Sequence, residues 1–553
     1  MGANLSTELV PSWQQTCANS FNCSSSGLVD INGQSVSCRP NITNVTMDSN
    51  VWGITYSACQ EKCGMDKIRQ LPFEAVGWRN LLSACTCLGS PALAAYSLAL
   101  TASNRVYIDK KFKTLKAELR GEEGSLVAKR LDAIAFILKE AQQCPLRANQ
   151  RHGEFAALLL LNDSERDNFW KGARKDLKNT RRDFTYSFGA QVFLAFITYL
   201  FSFVAAVHDS LGSPDVGLQF ASSTVWSWMY ICVGCQDKSG TIREALERHL
   251  SGSGNDYSPH QTALRPSGDF TGGSGDDQTV LLRNMSMDID CPLSPVTFCG
   301  FDVRGEAIHE GPVFNYARVL TWFALTRHIE KSLATAIRKF RRGDALPTTE
   351  IEAAEICGFQ PACQDLAAYI PWSDIPPFFI KQFIFAAVLA IILQWGSTGA
   401  AIFVAYNTPM VGIGCRSGSY IIYGIAATVS WLLLVASNFY SHAVMQRLEK
   451  QPTRNVGLLG ALAVITRILG NTLVVLNAGW LIASTILEEI GFFQTCWCQT
   501  DSFQLGTSGW TPVFKASSDL RSVAGGVWIG GFIWSAVISV FTSGIFASGP
   551  KPE

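Results

Sequence analysis

The sequence has few charged residues and none of the familiar catalytic motifs. Charged residues make up 16% of the 553 residues, and 45 Lys and Arg balance 45 Asp and Glu, so the net charge is zero. A neutral chain does not attract nucleic acid through its overall charge, and we expect no nucleic-acid partner. There is no Walker A loop, dinucleotide-binding glycine motif, His-Glu-x-x-His or Gly-x-Ser-x-Gly pattern. No metal, cofactor or catalytic residue can therefore be assigned from a motif.

A cleavable signal peptide is also missing, since residues 1–16 have neither a basic start nor an apolar stretch. Residues 1–80 are nevertheless rich in cysteine and in glycosylation sequons, which indicates an oxidising, extracytosolic environment. We therefore expect a later helix to export this segment. The predicted glycosylation sites are Asn4, Asn22, Asn41 and Asn44. The predicted disulfide-forming cysteines are Cys17, Cys23, Cys38, Cys59, Cys63, Cys415, Cys496 and Cys498, and the sequence leaves their pairing open.

Long apolar runs dominate what the sequence does contain. A helix of about 20 residues crosses the roughly 30 Å of hydrocarbon in a bilayer. The predicted spans are Leu81–Ala102, Phe188–Val207, Val216–Cys235, Gln382–Tyr406, Tyr420–Ser441, Ile468–Leu487 and Ala524–Ala547. Pro91 is expected to kink the first span, and Val216–Cys235 is the most polar of the seven. The sequence thus predicts an all-α polytopic membrane protein with about seven transmembrane helices.

Charge distribution favours seven spans over six. With seven, residues 103–187 are cytosolic and contain 18 Lys and Arg against 12 Asp and Glu. The loop with Arg447, Lys450 and Arg454 is then also cytosolic, as the positive-inside rule requires. Six spans, without Val216–Cys235, would move that loop outside. The seven-span arrangement places the N-terminus outside, residues 488–523 outside and the C-terminus in the cytosol, in the plasma membrane or secretory pathway.

Two large cytosolic insertions are predicted, at 103–187 and at 236–378. The first has helical apolar periodicity. The second contains a flexible linker at Ser251–Gln278 and an amphipathic helix at Val313–Phe340, whose basic end either meets anionic lipid or is solvated. Four cysteines of this insertion would be reduced thiols with seven spans. With six spans they would lie outside and could pair, so cysteine usage leaves both topologies open.

Polar residues inside the predicted spans form the candidate site. They are Gln394, Asn438, Asn471 and Asn477. Because unpaired polar groups are costly in a membrane, these side chains either bind a ligand or hydrogen-bond one helix to another. We expect Gln394, Asn438 and Asn471 to converge between the fourth, fifth and sixth spans. Arg467 is expected to extend to the inner membrane surface.

Four stretches have a recognisable sequence: Gly311–Arg318, Gln394–Ala400, Thr408–Gly418 and Tyr420–Gly424. Together with the cysteine-rich start, they resemble a group of multi-pass membrane proteins of filamentous fungi, some of which accompany secondary-metabolite gene clusters. The resemblance implies a lipophilic metabolite as the handled molecule, with membrane lipids and biosynthetic enzymes as partners. It favours a cyclase-like enzyme or an auxiliary factor, which would close a ring by holding an apolar chain folded. The alternative is a non-enzymatic surface receptor or transport protein.

Overall fold

The computed structural model describes residues 21–58, 85–143, 159–180, 297–357, 369–512 and 526–541, with short gaps inside these ranges. This part of the chain is mostly helical. Its longer helices are α1 (Pro91–Ala117), α2 (Glu122–Glu140), α3 (Ser164–Thr180), α4 (Asn315–Phe340), α5 (Glu350–Cys357), α6 (Pro377–Tyr406), α7 (Cys415–Lys450), α8 (Gly457–Glu489) and α9 (Gly526–Ile538). Its strands are β1 (Leu28–Val29), β2 (Gly53–Thr55), β3 (Thr297–Phe298), β4 (Phe301–Asp302) and β5 (Trp510–Pro512). The predicted spans Phe188–Val207 and Val216–Cys235 and the linker Ser251–Gln278 lie outside the described residues.

Three of the described helices are long and apolar enough to cross a membrane. They are Pro377–Tyr406, Cys415–Glu449 and Gly457–Glu488, and they contain the predicted fourth, fifth and sixth spans. Large apolar side chains are exposed along all three, for example Phe385, Leu432 and Leu476. Exposed apolar rows of this length are suited to lipid contact, so the chain is a membrane protein. The shorter apolar helix α9 covers part of the predicted seventh span.

Helices α7 and α8 form an antiparallel hairpin that defines the two ends of the bundle. The Ser437 hydroxyl donates to the Ala463 carbonyl at 2.7 Å near the connection, while Arg416 lies 3.2 Å from Glu488 at the far end. We call the end where α7 passes into α8 the turn end. Residue Tyr369, just before α6, donates its backbone N–H to Glu449 at 3.2 Å, so α6 starts at the turn end.

The opposite end carries a small antiparallel sheet in the order β1-β2-β5, and we call it the sheet end. The sheet pairs the cysteine-rich N-terminal segment with the segment that follows α8. Disulfide bonds join Cys23 to Cys38 and Cys415 to Cys498. The Asn22 side chain is exposed. The other predicted sites, Asn4, Asn41, Asn44, Cys17, Cys59, Cys63 and Cys496, lie outside the described residues.

Helix α1 connects the membrane helices to the predicted cytosolic helices. Pro91 occupies its first turn, where the missing N–H costs no helical hydrogen bond. The helix continues to Ala117, well past the predicted span end at Ala102, because Tyr107, Ile108 and Phe112 are buried on its later turns. Helix α4 runs parallel to α1. The amphipathic character predicted for this helix is seen in its burial, since six of its large apolar residues are buried: Val319, Trp322, Phe323, Ile329, Leu333 and Ile337.

Membrane helices and predicted cytosolic helices share one core. A single cluster of buried apolar side chains takes members from every helix between α1 and α9. Phe323 of α4 and Phe379 of α6 lie at its centre, with ring centroids 4.0 Å apart. The basic end of α4 lies several turns beyond this contact, and Arg341 and Arg342 there are exposed. The insertions are therefore continuous with the bundle rather than appended to it.

Gly89 is the tightest contact between the first predicted span and α8. A Cβ atom at this position would lie 2.0 Å from the Val474 carbonyl oxygen. Because that oxygen belongs to backbone, the helices must separate to admit a methyl group. We expect Gly89→Ala to lower the free energy of unfolding by about 1–3 kcal/mol. The measurement is thermal unfolding in detergent. Gly479→Ala is the matched control, since Gly479 is exposed on α8 with nothing within 4 Å. Equal stability of the two variants would contradict the close contact.

Candidate functional site: a buried carboxyl beside α8

The four polar residues predicted inside the spans do not form one site. Gln394 and Asn477 lie at an interruption of the first predicted span, whereas Asn438 and Asn471 face the segment before α4. The predicted convergence of Gln394 with Asn438 and Asn471 is not observed. Each of the four side chains makes a hydrogen bond to another element.

The interruption lies just before Pro91, which has no N–H to continue the helical ladder. The Leu88 carbonyl accepts a hydrogen bond of 2.8 Å from the Tyr423 hydroxyl. The Gly89 carbonyl accepts one of 2.7 Å from Asn477 Nδ2, which also donates to the Tyr423 carbonyl at 3.1 Å. Backbone groups released inside a membrane must be satisfied by the protein, and side chains of α7 and α8 do so here.

The backbone N–H group that follows the interruption also has a side-chain partner. Gln394 Oε1 accepts a hydrogen bond of 3.3 Å from the Ala92 N–H, and its Nε2 donates to Thr398 at 3.0 Å. The Ser90 hydroxyl donates to the Ala427 carbonyl at 2.9 Å. Gln394 and Asn477 thus stabilise the broken helix, so ligand binding is not needed to explain their place inside a span.

The second pair of asparagines leads to a buried acid, Glu306. This residue is 4% exposed and lies in the short 3₁₀ turn Gly305–Ile308. Asn471 Nδ2 donates to one carboxyl oxygen at 2.8 Å, and the Tyr316 hydroxyl donates to the other at 2.9 Å. Both oxygens are therefore held by neutral donors, one from α8 and one from α4.

Tyr316 is itself fixed by three elements. Asn438 on α7 donates to the Tyr316 carbonyl at 3.2 Å. The Ser97 hydroxyl on α1 accepts from the Tyr316 N–H at 3.2 Å and donates to the Pro312 carbonyl at 2.7 Å. The phenol is thus presented to Glu306 by a turn whose backbone is bonded to both α1 and α7.

Two arginines and a second acid surround the Glu306 turn. Asp302 accepts from Arg304 Nε at 3.0 and 3.1 Å. Arg467 Nη2 donates to the Asp302 carbonyl at 2.6 Å, so Arg467 is held inside the bundle and not extended to the inner surface as expected. No ion pair joins Arg467 to Glu306 in the described part of the chain. Gly305 has φ +63° and permits this packing, because a Cβ at this position would overlap the guanidinium of Arg467.

The proton affinities at this centre follow from its burial. Burial raises the pKa of the Glu306 carboxyl, and the hydrogen bonds from Asn471 and Tyr316 with the charge of Arg467 offset only part of that rise. Burial would also raise the pKa of Asp302, but the hydrogen bonds and charge of Arg304 bring it below the ordinary value. Asp302 therefore stays ionised, while Glu306 holds a proton more readily.

The hydrogen-bond partners of Glu306 suit both of its protonation states. A hydroxyl both donates and accepts, so Tyr316 can donate to an ionised carboxylate or accept from a protonated one. The centre lies level with apolar surface: Asn471 on α8 is flanked by Ile468, Leu469 and Val475, which are 40–54% exposed. A carboxyl that exchanges a proton beside such a surface is a chemically active group in the bundle.

Comparisons with protein-family models, with curated proteins and with solved structures found no match. Function is therefore inferred from the geometry of the site. Sequence reasoning missed Glu306 because it assigned residues 236–378 to the cytosol. The available signal was the pair of asparagines on two consecutive spans, each of which needs a partner at membrane depth.

The raised pKa of Glu306 makes stability depend on pH. The folded state binds this proton more tightly than the unfolded state, where the carboxyl has its ordinary value of 4.5. The contribution to stability is full below that pH and is lost as the pH rises through the higher folded value. We expect the unfolding temperature to fall across this window. Glu306→Gln, which cannot ionise, should remove that fall.

The measurement is thermal unfolding followed by tryptophan fluorescence at a series of pH values. Glu355→Gln is the matched control, because Glu355 is exposed on α5, and it should keep the wild-type profile. A Glu306→Gln profile parallel to that of the wild type would show that Glu306 does not hold the proton.

Proposed function

We propose that this chain is a membrane transport protein in which the Glu306 carboxyl carries a proton. The observation on which the proposal rests is the carboxyl itself, which is 4% exposed and bonded by two neutral donors. Keeping an ionisable group beside the apolar faces of a bundle is costly. Where such groups occur, they commonly mark proton or ion pathways.

The interrupted helix before Pro91 supports the same proposal. Transporters often contain discontinuous helices near the middle of the membrane, where irregular backbone is tolerated because the protein surrounds it. Here the interruption contacts Asn477 of α8, and Glu306 contacts Asn471 of the same helix. Two irregular backbone segments thus meet one spanning helix less than two turns apart.

The seven-span topology is part of this proposal, and the sheet end supports it. β2 and β5 pair in one sheet, so the N-terminal segment and the segment after α8 share one end. Residues just before α6 lie at the turn end. The chain between β2 and α6 therefore crosses an odd number of times. The path through α1 accounts for one crossing, so parity requires that Phe188–Val207 and Val216–Cys235 either both cross or both do not, which disfavours six spans. Their apolar length favours both crossing.

Epitope tags test this topology. We expect a tag at the N-terminus and a tag in the Gly506–Ser508 turn to bind antibody on intact cells, because both belong to the sheet end. A tag at Gly343, in an exposed turn after α4, should bind only after permeabilisation. Glycosylation of the N-terminal sequons is the independent control. An N-terminal tag that behaves like the Gly343 tag would contradict the odd number of crossings.

Proton movement tests the transport function directly. The purified protein is reconstituted into vesicles that contain a trapped pH-sensitive dye, with potassium and valinomycin to hold the membrane potential at zero. We expect a pH gradient that drives protons inward to decay faster in vesicles with the wild-type protein than in empty vesicles. Glu306→Gln should return the rate of decay to that of empty vesicles. Glu355→Gln should behave as the wild type. Wild-type vesicles no faster than the Glu306→Gln vesicles would refute proton transport.

A receptor is the second candidate, favoured by the continuity of α1 and α4 from the bundle into the other helices. Tyr107 on α1 donates to Glu330 on α4 at 3.0 Å, far from the Glu306 centre. Protonation of Glu306 would then change the position of α4 without moving solute. A pH-dependent unfolding profile without any proton flux would favour this candidate.

The cyclase-like reaction and the fungal group stay predictions. They rest on the stretches Gln394–Ala400 and Thr408–Gly418 and on the others that carry the resemblance. The asparagines considered as ligand-binding residues bond to protein groups, since Asn477 donates to backbone and Asn471 to Glu306. A lipophilic molecule remains compatible with the proposal as a transported solute, and membrane lipids as its surroundings.

A further inference from the structure

Arg467 has a polar atom that its own surroundings do not satisfy. The side chain is 9% exposed, and Nη2 donates to the Asp302 carbonyl at 2.6 Å. Nη1 is buried without a hydrogen-bond partner in the described part of the chain. A guanidinium stays charged at any physiological pH, so this atom presents a buried positive N–H group. Leaving such a group without an acceptor is expensive, and a bound anion would remove that cost.

The charges around Arg467 favour a bound anion more strongly when Glu306 is protonated. Arg304 and Arg467 together carry two positive charges, and Asp302, bonded to Arg304, carries one negative charge. With Glu306 ionised, the group is neutral. With Glu306 protonated, one positive charge remains, and it is that of Arg467.

The other groups facing Glu306 leave this difference of one charge unchanged, because they keep their own charge when Glu306 gains a proton. The charged and titratable neighbours are Asp302 and Arg304 on its own segment, Tyr369 beyond Arg304, Tyr316 and Arg318 on α4, and Arg467 on α8. Asn438 on α7 and Ser97 on α1, both neutral, bond Tyr316. Arg318 adds a positive charge in both states, and it donates to the Asn315 side chain and to the carbonyls of Gln142 and His309.

We infer that Arg467 Nη1 is the binding point for a monovalent organic anion with an apolar tail, and that the anion binds when Glu306 is protonated. This inference rests on the proposed transport function and names its solute class. The apolar tail follows from depth: Ile468 and Leu469 lie on other faces of α8 at the same level as Arg467, and they are 40% and 54% exposed. A carboxylate or sulfonate bound at Arg467 would thus have its tail at the depth of apolar surface. Proton and anion would bind together as a neutral pair.

Octanesulfonate is the probe, because it remains an anion at every working pH and does not carry protons across lipid by itself. Its binding is measured by calorimetry on protein in nanodiscs of phosphatidylcholine. The uncharged control is 1-octanol, which has the same octyl tail. We expect wild-type affinity to be between about 5-fold and 150-fold higher at low pH than at high pH. Glu306→Gln should hold the high affinity at both values. Arg467→Met should reduce binding to the level of 1-octanol.

The outcomes separate this inference from the proposed function, because binding at equilibrium needs no flux. Equal wild-type affinity at both pH values, or binding of 1-octanol as tight as that of octanesulfonate, would overturn the inference whatever the vesicles show. Should Arg467→Met fail to fold, the comparison of wild type with Glu306→Gln decides alone. Loss of octanesulfonate binding when phosphatidylglycerol is added would assign Nη1 to a lipid headgroup and would also overturn it.

Discussion

A buried polar group inside this bundle is costly unless the protein satisfies it, because exposed apolar side chains surround the helices on the outside. That constraint explains two features that otherwise look unrelated. At the interruption before Pro91, the hydroxyl of Tyr423 and the amides of Gln394 and Asn477 replace the missing helical hydrogen bonds. Six residues away from Asn477 on α8, Asn471 joins Tyr316 in holding the Glu306 carboxyl, which belongs to the other irregular segment. In both places, side chains of the spanning helices complete a backbone or an acid that arrives from elsewhere.

The two places differ in which buried polar atoms have no hydrogen-bond partner among the described residues. At the interruption, the released backbone groups of Leu88, Gly89 and Ala92 have side-chain partners, and the neutral Asn477 Oδ1 is buried without a partner in the described part of the chain. At the Glu306 centre, the acid can gain or lose a proton, and the nearby Arg467 keeps a buried, charged N–H group without an acceptor. Leaving a charged group unpaired costs more than leaving a neutral one, so function is better sought at the Glu306 centre than at Gln394 or Asn477.

The shared core couples the Glu306 centre to helices α1, α4 and α6. α4 begins at the centre and then packs against α1 and α6 through Phe323, Tyr107 and Phe379. Interiors of this kind do not deform gradually, so a change in the hydrogen bond from Tyr316 would be passed along α4 as a shift of the whole helix. The same geometry serves a transporter or a receptor, and proton flux distinguishes them.

Local composition determined the membrane class of this protein. The long apolar runs at Gln382–Tyr406, Tyr420–Ser441 and Ile468–Leu487 could be read directly, because a helix in lipid needs a fixed length of apolar residues. The apolar periodicity of Val313–Phe340 likewise indicated which side of that helix is buried. The partners of the polar residues were decided only by tertiary structure. Asn471 meets Glu306 across 165 positions of sequence, and Asn477 meets Gly89 across 388. Such contacts depend on how helices and an inserted turn pack together, and no local pattern records that packing.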